Sequence, residues 1–103
     1  MIRHLVHLRF RGDVDATTKQ KLYERLAALS DRIEGIVDFQ HRANVSVEVP
    51  LVRGFIDMFW FDFRDAGVRD AYLADVEHQA IGADIVACLE GSAEGVFVCD
   101  IEP

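Results

Sequence analysis

Four residues of this 103-residue chain combine side-chain types and placement that point to proton-transfer chemistry: His4, Tyr72, His78 and Asp100. An imidazole gives or takes a proton near neutral pH, a phenol donates one or stabilises an oxyanion, and a carboxylate fixes the tautomer of a neighbouring imidazole. His4 lies in Ile2-Arg3-His4-Leu5-Val6-His7-Leu8-Arg9-Phe10, where period-two alternation puts it on the apolar face with Ile2, Val6, Leu8 and Phe10. Asp100 shares its face with Val96 and Val98. Tyr72 closes one short helical segment and His78 opens the next, where the helix dipole lowers a histidine pKa. Together they offer an acid, a base and an orienting carboxylate. The structural alternative has the same residues: a His–Asp pair that satisfies its own polar atoms, a core tyrosine and a helix-capping histidine. His4, His78 and Asp100 are also metal-ligand types, but no local spacing such as His-x-x-x-His accompanies them, so neither metal nor cofactor is expected.

The elements that position these groups follow from pattern. Residues 2–10 alternate as a strand, and Gly12-Asp13 breaks it. A helix is expected over 17–33, with Leu22, Leu26, Leu29 and Ile33 on one stripe, Thr17 and Gln20 as a capping box, and Gly35 as the stop. Strands are expected at 36–43, 55–63 and 96–101, a loop at Asn44 to Gly54 with some extended structure at Val45-Ser46-Val47, and helices at 66–74 and 79–90. The order is β-α-β-β-α-β, an α+β, ferredoxin-like arrangement with a four-stranded antiparallel sheet in order 4-1-3-2 and its helices on one face. Strand 4 then runs antiparallel beside strand 1, which brings Asp100 opposite His4.

Strand 3 is apolar on both faces along most of its length: Phe55, Phe59, Phe61 and Phe63 alternate with Ile56, Met58 and Trp60. A half-exposed antiparallel strand alternates apolar with polar. Nothing else in the chain is left to cover the helix-free face, so a homodimer packed sheet against sheet is expected. Composition fits a single domain over 1–103: 50% of residues are hydrophobic and 28% charged. Lys+Arg 11 against Asp+Glu 18 leaves a net charge of −7, with only Lys19 and Lys21 as lysines, which argues against nucleic acid. No apolar run approaches the ~20 residues that span a bilayer, so no membrane is expected. With no secretion signal, a cytoplasmic location and reduced Cys88 and Cys99 in core-like positions follow. His7 is assigned to the dimer face and His41 to a sheet edge; Asp57, among aromatics, needs a partner, which the dimer would supply.

Several segments carry a family likeness: Ile2 to Phe10, Ala43-Asn44-Val45-Ser46, Arg53-Gly54-Phe55, Asp70-Ala71-Tyr72-Leu73 with Glu77-His78-Gln79, and Val98-Cys99-Asp100-Ile101-Glu102-Pro103. In their order and spacing the chain resembles the stress-responsive α/β-barrel (Dabb) family of the dimeric α/β-barrel superfamily. The resemblance implies a ferredoxin-like fold dimerised into a barrel. It also implies a pocket like that of a plant polyketide cyclase in the family, which closes a linear polyketide by aldol condensation without a cofactor. His78 and Tyr72 match that enzyme's acid–base pair, His4 a supporting strand-1 histidine and Asp100 a strand-4 aspartate. The chain departs from the family at Asp75-Val76, at Ile81 where an aromatic is common, and at Asp57 where a histidine is common. Three functions are therefore carried forward. The first is a cofactor-independent acid–base enzyme acting on a small apolar ketone or polyketide. The second is a non-catalytic dimeric ligand-binding or stress-response module. The third, by fold analogy alone, is a cofactor-free oxygenase.

Overall fold

Alternation along β1 (Ile2–Leu8) sorts the molecule into two sides. The computed structural model describes residues 1–103 and adds α1 (Ala16–Ala28), β2 (Ile36–Ala43), α2 (Val49–Val52), β3 (Asp57–Phe63), α3 (Ala66–Ala74), α4 (Val76–Val86) and β4 (Val96–Ile101). The sheet is antiparallel throughout in the order β2-β3-β1-β4, the 4-1-3-2 arrangement expected of a ferredoxin-like chain. His4 pairs with Phe61 on one side and Asp100 on the other, and Val6 with Phe59 and Val98. These residues share the face against which α1, α3 and α4 pack. Phe61, Phe63, Leu8 and Ile81 are fully buried there, with Leu26, Leu29 and Tyr72 nearly so. Phe39, Phe59 and Phe61 join through tilted and edge-on ring contacts at 4.8 to 6.0 Å.

Local chemistry accounts for most of the shifts from the expected boundaries. The first helix ends at Ala28 and tightens into a 3-10 turn at Leu29–Asp31, yet Leu29 and Ile33 stay buried, so the apolar stripe persists through the change of pitch. Its cap is Asp15, whose carboxylate accepts from the Thr18 amide at 2.8 Å; Thr17 lies inside the first turn and Gln20 reaches Glu24 instead. Gly35 serves strand entry rather than helix exit: its φ is 96°, and a Cβ there would stand 2.5 Å from a methyl of Val68. The expected loop at 44–54 contains α2 and no strand at Val45–Val47, and β3 begins at Asp57. The last helix starts earlier than expected, at Val76, because Asp75 ends α3 and caps α4 at once. Its carboxylate accepts from the Glu77 amide at 3.2 Å and from Arg32 at 2.8 Å, and that guanidinium holds it below the usual carboxylate range.

The helix-free face is mixed rather than uniformly apolar. Leu5, Met58 and Trp60 lie among polar groups, and Asp62 interrupts the apolar row of β3, taking a two-pronged bond from Arg3 at 2.8 and 3.1 Å. Arg3 and Arg42 flank the Trp60 ring at 5.6 and 5.7 Å. Asp57 finds its partner inside the chain, Lys19 at 2.9 Å, not across a dimer, because α1 passes over the start of β3. His41 sits on the edge strand stacked on Tyr23 at 4.2 Å. Both cysteines are free, and they are half-buried rather than fully buried.

Replacing Phe61 by Ala removes a fully buried ring at the centre of this core and is expected to lower stability by ~3–5 kcal/mol. Urea unfolding monitored by circular dichroism checks this; an unchanged midpoint would place the core elsewhere.

Candidate active site

The β1–β4 register joins the first pair. His4 Nδ1 and Asp100 Oδ1 are 2.6 Å apart, with the imidazole 5% exposed. A carboxylate there assigns the proton to Nδ1 and leaves Nε2 free to accept. The other Asp100 oxygen takes a bond from Arg69 Nη1 at 3.4 Å. The sequence reading missed Arg69, although its position three residues before Tyr72 on α3 places the two on neighbouring sites of one helix face.

Tyr72 is 1% exposed and packs on Phe61 and Phe63 at 4.8 and 5.0 Å. Its ring meets His4 edge-on at 5.5 Å and His78 at 3.8 Å. The corner at Asp75 makes the second contact possible: it turns the chain between α3 and α4 and sets His78, in the first turn of α4, over the phenol. The structure thus gathers all four expected residues on one cavity of about 290 Å³, lined also by apolar side chains including Leu26, Phe59 and Val86. A larger cavity of about 500 Å³ lies outside this region, on the other side of the sheet, and brings no such acid–base pair together. We therefore take the smaller one as the site, because convergent polar groups rather than size mark chemistry.

Protonation states follow from surroundings. Burial pushes the His78 pKa below its ordinary value and nearby His4 adds to the effect; Asp75 and the Tyr72 carbonyl pull weakly the other way. His78 Nδ1 is buried and makes no hydrogen bond of good geometry. Burial raises the Tyr72 phenol above its ordinary value. At neutral pH the pair is accordingly a neutral imidazole and a protonated phenol. Gly82 borders the same cavity from α4, and a Cβ built on it meets nothing within 4 Å.

The sheet order, the helices confined to one face and a cavity between them define a ferredoxin-like α+β protein. Residues 2–103 match the model of the Stress Responsive A/B Barrel Domain, and the chain belongs to that family. It is similar to a dimeric ferredoxin-like protein of unknown function from Jannaschia sp. CCS1, with 27% identity over 99% of this chain and 98% of that one and a TM-score of 0.88. It shares its fold with At3g17210 from Arabidopsis thaliana (23% identity, 100% and 95% of the two chains, TM-score 0.87). It also shares it with the hydroxynitrile lyase of Passiflora edulis (11% identity, 97% and 90%, TM-score 0.80). No curated protein matches the sequence. No helix is long and apolar enough to cross a membrane.

Two outcomes follow from the site's physics. Because His78 takes a proton less readily folded than unfolded, its contribution to stability falls as pH drops below the ordinary histidine value of ~6.5 toward the folded pKa. His78→Gln is expected to remove that part of the pH dependence; denaturant titrations of both proteins at pH 7.5 and 5 check it, and parallel curves would contradict it. Asp100→Ala leaves the buried His4 proton without an acceptor and is expected to cost ~1–3 kcal/mol, read in the same assay.

Proposed function

We propose that this protein is a homodimer in which each chain performs cofactor-independent acid–base chemistry on a small, largely apolar carbonyl compound. The observation that carries the reading is the Tyr72–His78 pair: a neutral imidazole packed on a protonated phenol in a largely apolar cavity. In an aldol-type step His78 removes the proton α to a carbonyl. The resulting enolate carbon bonds to a second carbonyl carbon of the same molecule, and the Tyr72 hydroxyl gives its proton to the new alkoxide. The proton held by His78 returns to the phenolate, which restores both groups. His4, oriented by Asp100, flanks the phenol and is a second proton-handling group. The Passiflora protein indicates that this fold can carry an enzyme, and at 11% identity it lends the fold alone.

Two supports stand behind the dimer. Neighbours of this fold from Jannaschia and Thermobifida fusca are described as dimeric. On the helix-free face, Leu5, Met58 and Trp60 are only half-buried in the single chain, an apolar surface that a second copy would cover.

A non-catalytic ligand-binding module is the second reading. It is favoured by the way His4, Asp100 and Arg69 satisfy one another, as a structural set would.

Turnover separates the two. A panel of poly-β-ketones and small enolisable ketones is assayed with wild type, His78→Ala and Tyr72→Phe. Wild type is expected to turn over at least one member. His78→Ala is expected to lose ~10²–10⁴-fold in rate, and Tyr72→Phe to keep binding but slow product formation. Binding without turnover by wild type, or variants as fast as wild type, would leave the module reading standing. For the dimer, light scattering at micromolar concentration is expected to give twice the chain mass for wild type and the monomer mass for Trp60→Asp, since an unpaired charge buried at an interface costs several kcal/mol.

A further inference from the structure

Asp100 orients His4 from an open position. It lies on the edge strand β4, and its side chain is 30% exposed. The carboxylate borders two cavities at once. On the inside is the acid–base cavity; on the outside is a second one of about 340 Å³, lined by Ile2, Arg69, Ile101 and Glu102 as well. The last torsion of an aspartate is broad, so a carboxylate open to water on one side can turn and exchange its imidazole partner for solvent.

Arg69 opposes that turn. Its Nη1 donates to Asp100 Oδ2 at 3.4 Å while Oδ1 stays 2.6 Å from His4 Nδ1, so both oxygens are engaged and the carboxylate plane is fixed. The guanidinium is anchored on its own helix, where Nε and Nη2 donate to Asp70 Oδ1 at 3.1 and 3.0 Å. The contacts close into a ring. Arg69 and Tyr72 are three residues apart on α3, Tyr72 meets His4 edge-on at 5.5 Å, His4 bonds Asp100, and Asp100 bonds Arg69. One helix thus carries the phenol and, through Arg69, fixes the imidazole beside it. Arg69 does not itself line the acid–base cavity, so it acts on a ligand there only through Asp100 and His4.

We propose that Arg69 is a positioning residue of this site: it locks the Asp100 carboxylate, which keeps the His4 proton on Nδ1 and leaves Nε2 free to accept. The effect on turnover rests on the acid–base reading of the cavity. The lock itself belongs to the resting protein and is measurable without a substrate.

Arg69→Met keeps the aliphatic stem and removes the donors, and Arg69→Lys returns one charged donor. A ring proton shared with a carboxylate at 2.6 Å gives a far-downfield proton NMR signal, assigned to His4 by its loss in His4→Gln. In Arg69→Met its exchange with water is expected to be at least ~10-fold faster than in wild type, with part of the protection recovered in Arg69→Lys. On a ketone that wild type turns over, Arg69→Met is expected to lower kcat ~10-fold and leave KM unchanged. Exchange as slow in Arg69→Met as in wild type overturns the proposal, and so does faster exchange with an unchanged kcat. A lower melting temperature with the His4 proton and kcat both unchanged also overturns it and makes Arg69 a structural tie. If the proton responds but wild type turns over nothing, the lock stands and the acid–base reading alone falls.

Discussion

The period-two alternation of β1 constrains everything that the site does. A strand slipped by one residue turns every side chain to the opposite face. In β1 that slip would carry His4 away from Asp100 and Tyr72 and bring Arg3 into the core. The register is held from both sides: Leu8, Val6 and His4 face Asp57, Phe59 and Phe61 of β3, and Val96, Val98 and Asp100 of β4. Much of the energy that fixes it is the burial of Leu8, Phe59 and Phe61, so apolar packing places a hydrogen-bonding histidine with no contribution of its own required.

The second joint is Asp75. Its backbone amide donates to the Tyr72 carbonyl to end α3, while its carboxylate begins α4 and holds Arg32 from the end of the first helical region. It thereby sets the angle at which His78 leans over Tyr72. The site is thus a meeting of two independent devices, a strand register and a helix corner. The acid–base pair depends on the corner, while the His4–Asp100 pair depends on the register.

What could be read in the sequence divides along the same line. Alternation marks β1, and β3 and β4 are short runs rich in aromatic and β-branched residues, so the sheet order and the His4–Asp100 juxtaposition were legible from strand pattern plus topology. The helix termini were less so. Both Asp15 and Thr17 are residue types that cap helices, and only the backbone geometry decides which does. The Asp75 corner was hidden because a single residue serving as both stop and start leaves no loop-like composition between α3 and α4. Asp57 was misassigned to an intermolecular partner because Lys19 is remote in sequence, and the crossing of α1 over β3 is a packing result with no local signature. Arg69 escaped notice because a surface-type residue gains meaning only when Asp100 arrives beside it. The placement of Tyr72 and His78 was anticipated from their spacing and from the family likeness; their ring contact required the corner.

Gly82 gives the cavity an unusual freedom to change. A glycine inside a helix sacrifices about 1 kcal/mol relative to alanine, and here no neighbour requires the missing side chain, since the space above it is empty to 4 Å. Stability alone would favour filling it. Alanine or another good helix former would strengthen α4 while consuming room beside Tyr72 and His78, so at this one position selection for thermal robustness and selection for ligand size pull against each other. Relatives of this chain can therefore diverge in what they admit by growing or trimming a single helix residue, with the register, the corner and the proton-handling groups left as they are.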